Sequence, residues 1–131
     1  MRNLVAGAFG LALIAFAGPI SADEVGQSEF MNFCSGCHGA DGTGDGPVVA
    51  TMQIETPDLT TITERTGGGD FPFWNTLKLI DGREVRAHGG EMPLWGERFQ
   101  MSATSRRGET AEMVARGRIL SLVTYLQSIQ Q

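Results

Sequence analysis

Cys34-Ser35-Gly36-Cys37-His38 is the stretch on which the fold turns. It sets two thiols three residues apart and an imidazole directly after the second. On a helical turn, thiols at that spacing reach the two vinyl groups on one edge of a porphyrin. The side chain that follows comes to lie under the metal, and an imidazole nitrogen is a strong axial ligand for iron. Ser35 and Gly36 are small, so a flat macrocycle can approach the backbone. The pattern C-x-x-C-H therefore reads as an attachment sequence for one covalent haem. Cys34 and Cys37 would form the thioethers, and His38 would hold the iron.

Other uses of paired cysteines fit less well. A thioredoxin-like pair needs a preceding strand in a βαβ pattern. Here the motif ends a helical stripe, with Phe30, Phe33, Cys34 and Cys37 at i, i+3, i+4 and i+7. A zinc site needs four ligands. Cys34, Cys37, His38 and His88 offer the right types, at a spacing that matches no finger. A disulfide between Cys34 and Cys37 is open to an exported chain, but it gives His38 no role.

A second axial ligand should lie farther along the chain. The candidates are His88 and the methionines Met31, Met52, Met92, Met101 and Met113. A methionine is ordinarily core filler. Met92 differs by its setting, Gly89-Gly90-Glu91-Met92-Pro93, where glycine permits close approach and proline fixes the backbone. It is the favoured ligand, with His88 its rival. His/Met ligation leaves iron no open site, so it suits one-electron exchange and not substrate activation.

The chain before the motif opens with Arg2 and an uncharged run from Leu4 to Ala17, broken by Gly18-Pro19. A basic start, a short apolar core and a small residue at Ala22 have the layout of a secretory signal, with cleavage expected after Ala22. The run is shorter than the roughly 20 residues of a membrane span. This assigns residues 1–22 to a signal peptide, residues 23–131 to one domain, and the mature protein to the periplasm. Removing 1–22 takes away one basic residue and no acidic one, which leaves 9 against 15 and a net charge of −6 over 109 residues. Such a balance excludes a nucleic-acid binder that works by neutralising phosphates. With 18 glycines in so short a chain, the core is small and leans on a cofactor. Without haem, the mature chain is expected to be largely disordered.

Helical periodicity recurs beyond the motif, and no stretch alternates as a strand would. Gly39–Pro47, GADGTGDGP, is turn-rich. A short helix opens at Pro57-Asp58-Leu59 and runs to about Thr66, ended by Gly67-Gly68-Gly69. Asp70 is placed to cap a helix over 71–80, with Phe73, Trp74, Leu77 and Ile80 on its apolar face. A short helix covers 94–101. The longest covers 109–128, with Met113, Gly117, Leu120, Val123, Tyr125 and Leu126 near one side. The domain reads as all-α, with four to five helices around one haem. Trp74, Leu77, Ile80, Leu94 and Trp95 are candidates for the haem walls, and Trp74 or Arg83 for holding a propionate.

Taken together, these separated features resemble the class I c-type cytochromes, the small secreted bacterial cytochromes c. Gly26 and Phe30 resemble the family's N-terminal helix, and Leu122-Val123-Thr124-Tyr125-Leu126 its closing helix. The resemblance implies that the two helices cross, with Tyr125 meeting Gly26 and Phe30. It implies that Pro57 offers its carbonyl to the His38 ring, a bond that fixes the tautomer and strengthens the ligand. It implies that Met92-Pro93-Leu94 is the sixth-ligand loop and that the cofactor is haem c. The function it implies is electron carriage and not catalysis. The partners would be redox proteins (a dehydrogenase, oxidase or reductase), and any membrane association would run through them or an uncleaved signal. A subunit of a dehydrogenase complex and a haem-based gas binder with a labile sixth ligand are the alternatives. Lys78 is the only lysine, so docking through a lysine ring does not carry over.

Overall fold

The computed structural model describes residues 22–86, 92–104 and 108–131, and they are helical with no strand. The signal-peptide reading and His88 lie outside those residues. Helix α1 spans Ala22–Phe33, α2 Ser35–His38 and α3 Pro47–Met52. A 3-10 turn, Leu59–Thr61, leads into α4, Ile62–Arg65. Helices α5, Phe73–Asp81, α6, Trp95–Met101, and α7, Ala111–Ser128, complete the described chain. The count exceeds the four to five expected because α2, α3 and α4 are each under two turns long, too short to show a period.

The long helices start and stop for local reasons. Thr110 caps α7, its side chain accepting from the Met113 amide at 3.2 Å. The Asp58 carboxylate accepts from the Thr60 amide at 2.8 Å and hydroxyl at 2.6 Å. That cap moves the start of the fourth segment from Pro57 to Leu59. Gly82, at φ +74°, closes α5 in the left-handed region that glycine occupies without penalty.

α7 packs against α1, α6 and α5, and its contact with α1 is the most extensive. The crossing needs a glycine: a Cβ on Gly26 would run into the Ser121 carbonyl and lie 2.8 Å from Tyr125 Cβ. Phe30 is wholly buried there, with its ring 5.3 Å from that of Tyr125. The expected meeting of Gly26, Phe30 and Tyr125 is thus present. Each large apolar side chain sealed in this way contributes roughly 1.5–3 kcal/mol.

Two helix faces differ from the sequence reading. In α7 the buried residues are Ala115, Ile119, Leu122, Val123, Tyr125 and Leu126, while Met113, Gly117 and Leu120 face outward. α7 has neighbours on more than one side, so its apolar residues do not keep to a single stripe. In α5 the buried positions are Thr76 and Ile80, and Trp74 is 69% exposed. Trp74 sits about 100° round the helix from Phe73 and falls beside the stripe rather than in it.

Candidate functional site

The Cys-x-x-Cys-His segment is not the smooth end of α1. The helix breaks at Cys34 and restarts as the single turn α2, so the motif stands on its own turn. The Cys37 and His38 amides both donate to the Cys34 carbonyl, at 3.1 and 2.9 Å. This tight turn brings Cys34, Cys37 and His38 together at the head of the helix pair. Both cysteines are half-buried, with no disulfide between them. Before attachment, burial pushes the Cys34 thiol up to about 12, with smaller contributions from Glu29 and Cys37.

His38 is buried, and its Nδ1 lies 3.4 Å from the Pro57 carbonyl oxygen. A carbonyl can only accept, so the contact requires the tautomer with hydrogen on Nδ1. That leaves Nε2 as the nitrogen suited to a metal. Pro57 is thereby placed where the sequence put it.

The glycine-rich loop holds this arrangement. The Gly44 amide donates to the His38 carbonyl at 2.8 Å, and the Gly46 amide to the Cys37 carbonyl at 3.1 Å. The Leu59 amide reaches back to the Gly42 carbonyl at 2.7 Å. Gly44 has φ +89°, and a Cβ there would strike the Thr56 carbonyl. The loop is thus a backbone clamp between the histidine and the proline segment. Gln130 supports the same segment from the other end of the chain. Its side-chain amide donates to the Leu59 carbonyl at 2.8 Å and accepts from the Thr63 amide at 3.0 Å. The sequence reading missed both devices.

Cys34, Leu59, Phe71, Phe73, Leu77, Met92 and Ile129 pack half-buried against the core. Of the expected wall residues, Leu77 belongs to this group, while Ile80 and Trp95 are buried within the core. Leu94 is half-buried and lies beside Gly82. Trp74 is exposed and shares an outer cleft with Leu77, Lys78, Arg83 and Glu112. Arg83 binds Asp81 at 2.6 Å and Glu112 at 2.7 Å. Its guanidinium is committed to protein carboxylates.

The donor set fits haem c. Two thiols and an imidazole stand on one turn, and the contact with the Pro57 carbonyl fixes the imidazole tautomer. Among the described residues, no cluster of three or more His, Cys, Asp and Glu side chains could hold a metal ion by itself. Among the same residues, no helix is long and apolar enough to cross a membrane.

Comparison with curated proteins and with solved structures returns no match. The family model described as Cytochrome c matches residues 24–115, more than half of the chain. The match ends within α7, before Tyr125, so the closing of that helix on Gly26 and Phe30 is an independent structural observation.

Proposed function

The chain belongs to the cytochrome c family, a haem-based electron carrier with covalently attached haem c, and on that premise we propose that it is a periplasmic monohaem carrier with His38 and Met92 as axial ligands. Cys34 and Cys37 hold the cofactor through thioethers. When bound, the haem supplies a one-electron couple. The chain supplies the rest. The Pro57 carbonyl fixes the His38 tautomer and makes its ring a better donor. A thioether from Met92 favours the reduced state, as does an apolar surround. With His38 and Met92 both holding the iron, no position would be left for a small ligand.

The observation that carries this reading is the His38–Pro57 contact, since it orients one ring nitrogen for a metal. Met92 is assigned by its sequence setting between Gly89-Gly90 and Pro93. The export reading rests on the basic start and short apolar run within residues 1–22 of the sequence. The electron donor and acceptor are redox proteins, a dehydrogenase, oxidase or reductase.

Met92→Ala tests the ligand set. The substitution should abolish the near-infrared sulfur-to-iron absorption band while leaving the haem covalently attached. A band that survives unchanged assigns the sixth ligand elsewhere.

A further inference from the structure

We propose that Gln130 is a positioning residue for the axial histidine: it acts on His38 through the segment Pro57 to Thr63 and so tunes the potential of the iron. This rests on the electron-carrier reading above and deepens it. Gln130 lies beyond residues 24–115, the stretch that the family model matches, so membership of the family does not account for it.

The contact that Gln130 governs is a long one. His38 Nδ1 stands 3.4 Å from the Pro57 carbonyl oxygen. Bonds from N–H to oxygen are usually about 2.9–3.0 Å long and weaken as they lengthen. At this separation a small displacement of Pro57 decides whether the bond is made. Whatever fixes the Pro57 segment therefore fixes how strongly the His38 ring donates to a metal.

The segment holds together as one piece. The Asp58 carboxylate accepts from the Thr60 amide and hydroxyl, and the Thr61 hydroxyl donates to the Asp58 carbonyl at 3.3 Å. Its anchor comes from just past the end of α7. The Gln130 side-chain nitrogen donates to the carbonyls of Leu59, at 2.8 Å, and Leu126, at 2.7 Å. The side-chain oxygen accepts from the Thr63 amide at 3.0 Å and from the Thr63 hydroxyl at 3.2 Å. A glutamine amide has two donor hydrogens and two acceptor lone pairs, and here protein groups engage them all. The Gln131 amide adds a bond to the Thr60 carbonyl at 3.0 Å.

The preceding residue bears on the other half of the clamp. Ile129 packs half-buried against the core, and a Cβ on Gly42 would lie 3.2 Å from its Cδ1. Gly42 in turn accepts from the Leu59 amide at 2.7 Å. Residues 129–131 thus touch both the glycine loop and the proline segment. Through Leu126 they tie that assembly to α7, which the crossing with α1 holds in place. A glutamine that served only to meet water would face outward; this one joins stretches 67 and 71 residues away in the chain.

The test uses the haem-loaded protein. Gln130→Met keeps the length of the side chain and removes its hydrogen bonds. Thr63→Val removes the hydroxyl bond alone and keeps the amide bond. Gly26→Ala weakens the helix crossing without touching the segment. The midpoint potential is read by voltammetry, and solvent exchange of the His38 Nδ1 hydrogen by NMR. The proposal expects Gln130→Met to raise the potential and to speed that exchange about tenfold, through easier local opening of the segment. It expects Thr63→Val and Gly26→Ala to leave both readouts near those of the parent, even where unfolding shows Gly26→Ala to be the less stable protein. A Gln130→Met protein that matches the parent in potential and exchange, or a Gly26→Ala protein that moves both as far, overturns the proposal and leaves the electron-carrier reading standing. A parent protein without a reversible one-electron couple removes the electron-carrier reading, and the role of Gln130 with it.

Discussion

The two sides of the core are closed in different ways. Where α1 crosses α7, Phe30, Ala115, Leu122 and Val123 are at most 1% exposed. Gly26 brings the backbones into contact there, and the chain seals that side by itself. On the side of the Cys-x-x-Cys-His turn, backbone hydrogen bonds of a glycine loop hold Cys37, His38 and Leu59 in order. One side is governed by volume and the other by backbone geometry. They should therefore fail differently under mutation.

Gly26→Ala attacks the sealed side and should show the largest effect. The new methyl group has no room beside the Ser121 carbonyl, and overpacking at a helix crossing costs about 3 kcal/mol, the upper end of its usual range. Denaturant unfolding should show that loss, with the midpoint potential close to that of the parent. A loss below 1 kcal/mol would mean that the crossing is looser than described.

Gly44→Ala attacks the other side. It forces φ +89° on an alanine and pushes Thr56 and Pro57 away from His38. The strain costs roughly 1–2 kcal/mol. The distinguishing readout is the potential. Without the Pro57 carbonyl, the His38 ring donates less strongly, the oxidised iron is less well stabilised, and the potential should rise. A potential that stays put while stability falls would show that the clamp is structural only.

These sites differ in how far the sequence disclosed them. The cysteines, His38, Pro57 and the Gly26–Phe30–Tyr125 contact were legible because each depends on residue type at a short, fixed spacing or on a resemblance at separated positions. The role of the glycine loop was not. It works through amides of Gly44 and Gly46 reaching back to His38 and Cys37, and backbone bonds between distant residues leave no side-chain pattern. Trp74 was read onto the buried face of its helix because an aromatic next to a helical stripe looks like part of it, although it stands exposed beside that stripe. Gln130 was silent because a polar residue near a chain end gives no sign of its tertiary partners.

The charged cleft gives the smallest expected effect. Arg83 and Arg116 hold the Glu112 carboxyl well below its ordinary value, at about 2. A carboxylate lowered by folding adds stability that is complete above its unfolded value near 4.5 and is lost as pH falls towards 2. Glu112→Gln should therefore be slightly less stable than the parent at neutral pH and should lose less between pH 4.5 and 2. Parallel acid-denaturation curves would show that the pair contributes nothing, as is common for exposed ion pairs.

Everything on the haem side depends on covalent attachment at Cys34 and Cys37. The most direct measurement is the intact mass of the purified protein under denaturing conditions. The account predicts the polypeptide plus one haem, coloured and inseparable by acid–ketone extraction. A colourless protein with the mass of the bare polypeptide would contradict it.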